Sequence, residues 1–205
     1  MPLKALYVNT SLKKSEETSN TEALMEKSGQ WMTKEDVSTE TIRLADYKIA
    51  HGMSLDMGGG DEFPSIMEKV READIVVLGT PIWNGERSSI ASLFMERLYA
   101  NSDEQNDSGQ SVYYNKVFGC LVTGNEDGAK EAGRAVLFAM INIGFTVPPN
   151  ALSYWVGEAG PGPSYMEAGQ DSEFTKKNTE MMSYNLIHFA RMLKDQPIPA
   201  EGNTL

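Results

Sequence analysis

The five-residue run Ile75-Val76-Val77-Leu78-Gly79, entered through Ala73-Asp74, contains no polar residue at all. A strand with one face in water alternates polar and apolar residues, and this one does not. Both of its faces must therefore be covered, as in a parallel sheet with helices on either side. Parallel neighbours cannot be joined by a tight hairpin, so each strand has to be followed by a crossover, usually a helix. The rest of the chain is then expected to alternate strands with amphipathic helices.

It does so from the start. Lys4-Ala5-Leu6-Tyr7-Val8 predicts a first strand and residues 9–18 a polar loop. Ser19-Asn20-Thr21-Glu22 has capping-box spacing, with Ser19 accepting from the N–H three residues on and Glu22 reaching back. The helix that follows, to about Met32, carries Ala23, Leu24, Lys27 and Trp31 in an imperfect stripe. Ser38 to Leu44 alternates and is rich in β-branched residues, which predicts a second strand. Residues 45–62, with Gly58-Gly59-Gly60, read as a long connection. Phe63-Pro64 opens a helix with inward Ile66, Met67, Val70 and Ala73, since proline is tolerated in a first turn.

The third strand is the apolar run, with a sharp turn expected at Thr80-Pro81 and a helix beyond it carrying Ile90, Leu93, Phe94 and Leu98. Residues 101–111 are polar and read as a surface insertion. Lys116 to Thr123 predicts a fourth strand, followed by the loop Gly124-Asn125-Glu126-Asp127-Gly128. Ala129, Ala132, Val136, Ala139, Met140 and Ile143 form a helical stripe closed by Gly144 at the C′ position. A fifth strand is expected over 151–156 and a loop over 157–169. The last helix is expected over 172–193, capped by Asp171, with Phe174, Met181, Met182, Leu186, Phe189, Ala190 and Leu193 inward.

Five alternations without an internal repeat imply an α/β fold: a doubly wound five-stranded parallel sheet with helices on both faces, in a single domain over 1–205. Ligands in such folds sit at the carboxyl ends of the strands, where the winding direction reverses. For strand order 2-1-3-4-5 that point lies between strands one and three. It selects the loops 9–21, 80–87 and 124–128.

The formal charge of −11, from 18 Lys+Arg against 29 Asp+Glu, argues against nucleic acid or an anionic membrane as a general partner. The single cysteine, Cys120, excludes an internal disulfide and a clustered-cysteine metal site. No signal peptide or membrane-length apolar run is visible, which points to the cytoplasm. The first loop ends at a helix N-terminus, where free N–H groups and the helix dipole favour an anion. Neither a G-x-G-x-x-G nor a Walker lysine motif is present, so a monophosphate held by hydroxyls and N–H groups fits better than a dinucleotide. Ile82-Trp83-Asn84-Gly85, at a strand's carboxyl end, offers an aromatic rim for a flat, hydrophobic ring system. No acid–base dyad is evident. His188 falls in the last helix and His51 in a loop, and Cys120 sits inside a strand as a core residue. Trp31 and Trp155 read as packing or interface residues.

Ser11-Leu12-Lys13…Ser19-Asn20-Thr21, Ala73-Asp74-Ile75…Gly79-Thr80-Pro81-Ile82-Trp83-Asn84-Gly85 and Phe94-Met95-Glu96-Arg97 resemble the FMN-binding NAD(P)H-dependent oxidoreductases of the flavodoxin-like superfamily. The likeness lies near the NADPH-dependent FMN reductase and multimeric flavodoxin branch and covers roughly residues 4–193. It implies a flavodoxin-like fold and FMN as cofactor. Ser11, Lys13, Ser19, Asn20 and Thr21 would hold the FMN phosphate. Pro81, Ile82, Trp83, Asn84 and Gly85 would line the isoalloxazine edge and ribityl chain, with N–H groups near Asn84 and Gly85 facing the pyrimidine edge or N5. Thr123, Gly124, Asn125 and Gly128 would lie on the other side of the ring. Relatives with an iron–sulfur cluster place cysteines after strand two; here that stretch reads His51-Gly52-Met53-Ser54-Leu55-Asp56-Met57, so no cluster is built and no metal is expected. Glu16-Glu17, unusual in a phosphate loop, are expected in solvent.

The implied activity is an FMN-dependent oxidoreductase that takes hydride from NAD(P)H and reduces a quinone, a flavin or another small acceptor, the chemistry being the flavin's own. The resemblance also implies a homodimer or homotetramer, with 101–111 and 157–169 as segments that could cover a neighbour's flavin. The acidic charge favours an alternative, a flavodoxin-type electron-transfer protein that docks redox partners by electrostatic steering. The long, serine-spaced first loop favours the enzyme. A receiver-type phosphoacceptor needs acidic Mg²⁺ ligands at the ends of strands one and three, where this chain has Asn9-Thr10 and Thr80-Pro81. Whether His51 or Tyr165 reaches the ring is open at this level.

Overall fold

The computed structural model describes residues 2–125 and 127–205. Its elements are β1 (Lys4–Asn9), α1 (Asn20–Lys34), β2 (Ser38–Arg43), α2 (Phe63–Glu72), β3 (Ile75–Trp83), β4 (Glu86–Arg87), α3 (Ser89–Tyr99), β5 (Val117–Gly124), α4 (Ala129–Asn142), β6 (Leu152–Val156) and α5 (Glu173–Asp195). The sheet runs β2-β1-β3-β5-β6 with every pair parallel, while β4 folds back antiparallel onto the end of β3. The winding therefore reverses between β1 and β3. Glu126, part of the expected loop at 124–128, lies outside the described residues.

Alternation along the central strands sorts side chains into two cores. Leu6, Val8, Val76, Leu78, Phe118 and Cys120 leave one face and pack with Phe63, Ile66, Phe94, Leu98, Val136 and Met140 of α2, α3 and α4. Ala5, Tyr7, Ile75, Val77 and Leu121 leave the other and pack with Leu24, Met25, Met182, Leu186 and Ile187 of α1 and α5. This is why the third strand could not afford a polar position. Gly79 sits where a Cβ would collide with Met25 and Thr21, so its lack of a side chain lets α1 close on the sheet. A buried hydroxyl chain, Tyr7 Oη to Ser28 Oγ to Ser183 Oγ at 2.8 Å each, ties β1, α1 and α5 together. Among the described residues no helix is long and apolar enough to cross a membrane.

Several boundaries differ from the sequence reading. The strand does not turn at Thr80-Pro81: β3 continues to Trp83, and the turn falls at Asn84-Gly85, whose φ values are +50° and +79°. Two consecutive positive φ values make the type I′ turn that Asn-Gly favours in a two-residue hairpin. Pro81 is tolerated because the strand alternates. Gly79 faces β1, its carbonyl accepting from Thr10 N–H at 2.8 Å, so Pro81 faces the same side, where β1 has ended. The absent N–H thus costs no ladder bond. The sheet accordingly has a sixth, antiparallel strand in addition to its five parallel ones.

The capping box is half formed. Ser19 accepts from Glu22 N–H, but the Glu22 carboxylate pairs with Arg43 instead of reaching back. Leu44 leaves the second strand for a short 3-10 turn, Leu44–Asp46. The last helix is capped by Ser172 rather than Asp171, and its Phe174 and Met181 face solvent. Residues 101–111 are more than a surface insertion: Asn101, Gln110 and Ser111 are buried, and Gln110 donates to the carbonyls of Ile198 and Pro199. The 157–169 loop contains a π-helical turn, Tyr165–Gly169.

Candidate functional site

The strand ends that meet at the winding reversal form a cleft of about 190 Å³. Ser11, Leu12, Lys13, Thr18, Ser19 and Asn20 line one end, Pro81, Ile82 and Trp83 one wall, and Thr123, Gly124 and Asn125 the other. Trp155 and Tyr165 close the back. Thus ten of the sequence-selected positions share one cavity: Ser11, Lys13, Ser19, Asn20, Pro81, Ile82, Trp83, Thr123, Gly124 and Asn125.

The remaining four stand behind it. Thr21 is buried and shares a 2.8 Å hydroxyl hydrogen bond with Thr123, which binds the start of α1 to the end of β5. Asn84 and Gly85 form the hairpin tip. Gly128, at φ +108°, lies so close that a Cβ there would fall on the Gly85 carbonyl, so the hairpin rests directly on the start of α4.

The Ser19 end is built to receive an anion. The Ser19 Oγ already accepts from Glu22 N–H at 3.2 Å and from Asn9 Nδ2 at 3.3 Å, which leaves its own proton to donate. Among the described residues no acceptor meets the N–H groups of Asn20 and Thr21, the first two of α1. These donors, the helix dipole and Lys13 converge on the cleft, and among the described residues no carboxylate lines it. Glu16 and Glu17 are exposed and outside it, as expected.

Sequence reasoning missed what shapes that loop. Arg43, at the end of β2, is 6% exposed and donates through Nη1 to the carbonyls of Lys14 and Glu17, while Nη2 pairs with Glu22. Asp46 accepts from Ser15 N–H at 2.9 Å and from its hydroxyl. The Ser15 hydroxyl bond is the main reason that the Asp46 carboxyl titrates below its ordinary value. An arginine at the end of an alternating strand carries no local signal of this role, because its partners lie 21 to 29 residues away in sequence.

The opposite wall is similarly braced. Asn125 Nδ2 donates to the carbonyls of Gly162 and Pro163, and Met166 N–H donates to Asn20 Oδ1 at 3.0 Å. The 157–169 segment is thereby clipped to both sides of the cleft. It delivers Tyr165, whose ring meets Trp155 edge-on with centroids 5.7 Å apart. Burial pushes the Tyr165 hydroxyl up to about 12, so it stays protonated at neutral pH. Trp155, read from sequence as a packing residue, is buried and also lines the cleft. Trp83 stands at the edge, 55% exposed. His51 and His188 are exposed and lie outside the cleft, and Cys120 is buried in the sheet with its thiol pushed up to about 12.

The residues present suit a flavin mononucleotide: unpartnered donors for a phosphate at one end, and a slot between the Ile82–Trp83 hairpin and the Trp155–Tyr165 pair for a planar ring at the other. Among the described residues, no cluster of three or more His, Cys, Asp or Glu could hold a metal ion.

The 8-demethyl-8-aminoriboflavin-5′-phosphate synthase of Streptomyces davaonensis is 40% identical over 207 residues, covering 96% of this chain and 80% of that protein. The divalent metal cation transporter MntH of Mycobacterium bovis is 44% identical over 199 residues; the match takes in 94% of this chain but only 29% of that protein's length. The crystal structure of RosB with bound 8-demethyl-8-formylriboflavin-5′-phosphate superposes with a TM-score of 0.88 at 40% identity, covering 96% of this chain and 82% of that one. A Streptococcus pneumonia TIGR4 flavodoxin, at 15% identity and TM-score 0.58 over 90% of this chain and 98% of its own, shows that the fold is flavodoxin-like. Residues 3–158 match the NADPH-dependent FMN reductase family, and the chain belongs to that family.

Proposed function

We propose that the cleft binds FMN with its phosphate at Ser11, Lys13, Ser19, Asn20 and Thr21. Its ring lies against Pro81, Ile82, Trp83, Asn84 and Gly85 on one side and Thr123, Gly124, Asn125 and Gly128 on the other. The carrying observation is the pairing, in one cleft, of a helix N-terminus with an aromatic slot, the cleft having no lining carboxylate and the N-terminus no acceptor among the described residues. Bound FMN supplies the redox chemistry, accepting hydride from NAD(P)H and passing electrons to a quinone, flavin or other small acceptor. The chain's own residues then bind and orient: the α1 N–H groups and Lys13 neutralise phosphate, Thr21 acts by fixing Thr123, and Trp83 shields the ring edge from water. No residue need shuttle a proton, and Tyr165 serves as a neutral donor.

The exposed Leu12 and Trp83 at the cleft's edge favour an assembly of two or four copies in which a neighbour covers the ring. The test is to purify the protein, look for bound FMN, and add NADPH or NADH without oxygen. Loss of the oxidised flavin colour is expected. A colourless protein that refuses added FMN would sink the reading. Flavin that stays oxidised, yet exchanges electrons with a redox protein, would instead indicate an electron carrier.

A second reading rests on the 40% identity to an aminoriboflavin phosphate synthase over almost the whole chain. In that reading the flavin phosphate is the substrate, altered at its 8-position, and the same cleft holds it. Mass spectrometry of flavin recovered after turnover separates the two, since a reductase returns FMN of unchanged mass.

A further inference from the structure

Asn9, the last residue of β1, is fully buried and does not itself line the cleft, yet its side chain touches both serines that do. Ser11 N–H donates to Asn9 Oδ1 at 2.9 Å, and Asn9 Nδ2 donates to Ser19 Oγ at 3.3 Å. The amide cannot be turned over without loss. A backbone N–H only donates, so the amide oxygen has to face Ser11 and the NH₂ has to face Ser19.

The consequence falls on a proton. A hydroxyl oxygen has two acceptor positions. On Ser19 one accepts from Glu22 N–H at 3.2 Å, in the first turn of α1, and the Asn9 amide fills the other. An N-cap serine without such a neighbour keeps one acceptor position open, and its proton is not committed. Here the hydroxyl can only donate, and among the described residues its proton meets no acceptor, while Ser19 lines the cleft. Ser11 is held by its N–H on the same amide, and its Oγ accepts from Lys13 N–H at 3.2 Å. An aspartate in place of Asn9 would keep the Ser11 bond. Its second oxygen, however, would accept the Ser19 proton and draw it out of the cleft.

We propose that Asn9 is a positioning residue for the flavin phosphate: through Ser11 and Ser19 it commits the β1–α1 loop to donating, so that the cleft selects a phosphorylated flavin over an unphosphorylated one. The inference rests on the FMN reading of the cleft. An ionised phosphate ester brings several acceptor oxygens to the two hydroxyls, the Asn20 and Thr21 N–H groups and the Lys13 ammonium, and charge strengthens each bond. The 5′-hydroxyl of riboflavin is neutral and accepts from two donors at most.

The test compares FMN with riboflavin on the flavin-free full chain, by fluorescence titration, in the wild type, Asn9→Leu, Asn9→Asp and Ser19→Gly. Leucine keeps the size of the side chain but neither hydrogen bond, and glycine keeps most of the cap but no hydroxyl. For Asn9→Leu we expect FMN affinity to fall about tenfold, the range for losing a hydrogen bond to a charged group, with riboflavin within about twofold of wild type. Asn9→Asp should bind FMN more weakly still. In Asn9→Leu/Ser19→Gly the two FMN losses should sum to less than their separate values, because the second change removes a partner already lost.

Equal weakening of both flavins in Asn9→Leu would make Asn9 a structural brace and overturn the proposal. So would wild-type FMN affinity in that variant, FMN binding by Asn9→Asp as tight as by Asn9→Leu, or strictly additive losses in the double variant. If Asn9→Leu fails to fold, Asn9→Asp, which keeps the Ser11 bond, carries the comparison of the two flavins. The two readings fail separately. A wild type that binds FMN no differently from the Asn9 variants removes this role alone, whereas one that binds neither flavin removes the FMN reading and this role with it.

Discussion

Arg43 Nη1 donates to the carbonyl oxygen of Glu17 at 2.6 Å, reaching from the end of β2 into the loop that precedes α1. The same guanidinium takes the Lys14 carbonyl and the Glu22 carboxylate, so one buried side chain sets the path of the loop that carries Ser11, Lys13 and Ser19. Arg43→Met would leave these acceptors unpaired, at about 1–3 kcal/mol for each that stays buried. We expect FMN affinity to fall by at least about tenfold, with Arg43→Lys intermediate because a compact ammonium does not reproduce the planar fork of the guanidinium. A fluorescence titration showing wild-type affinity in the methionine variant would remove Arg43 from this role.

Trp83→Ala should weaken FMN binding by about 1–3 kcal/mol, the scale of lost aromatic burial. Trp83 is 55% exposed, so its removal should leave the urea midpoint nearly unchanged. Equal flavin affinity in the two proteins would place the indole outside the site.

Asp61 and Arg97 form an ion pair at 2.8 Å with neither side chain exposed, and Arg97 also holds the carbonyls of Ser54 and Leu55. Burial alone would raise the Asp61 pKa. The Arg97 guanidinium and the N–H groups of Ala50, Met57 and Phe63 outweigh it and hold the carboxyl well below its ordinary 3.8. The unfolded chain therefore takes up this proton first as pH falls below 3.8, so the pair's contribution is complete above that value and lost towards stronger acid. Asp61→Ala should cost about 3–5 kcal/mol near neutral pH by stranding a buried guanidinium, and should flatten the acid limb of stability. Urea melts across pH test both, and a variant that keeps the wild-type acid slope would refute the assignment.

Gly128→Ala places a methyl on the Gly85 carbonyl at φ +108°, a conformation that alanine adopts only with strain. A loss of more than about 1 kcal/mol in stability is expected, with weaker FMN binding because the hairpin is pushed off the start of α4. A neutral result in both measurements would mean that the hairpin moves freely.

Cys120 should be inert to thiol reagents in the folded protein, since burial pushes its thiol up to about 12 and no solvent reaches it. Rapid labelling under native conditions would contradict its place in the sheet.

The parallel sheet was legible because Ile75 to Leu78 admits no solvent-facing residue, and the crossovers follow from that. The cleft was legible because the winding reversal picks out loops whose residues can be read off in order. What escaped depended on partners far apart in sequence. Trp155 reads as a packing or interface residue, and only the docking of Tyr165 shows its second role. Nothing in the local sequence marks Arg43 or Arg97 for burial, because the loops that fold over them are distant in sequence. The β3 extension escaped for another reason: Thr80-Pro81 carries a strong local turn signal, and only the early end of β1 makes proline harmless there. Asn84-Gly85 was the better turn signal, and it stands four residues further on.

Beyond Gly79 the third strand has outrun its neighbour, and Thr80 to Trp83 project past β1 while still laddered to β5 through Pro81. The cleft's aromatic wall is thus a cantilever joined to the framework along one side only. Changes at its exposed Trp83 tip would be felt by whatever docks there more than by the core beneath, against which Ile82 packs. Choice of reaction partner can drift across generations of sequence without putting the fold at risk.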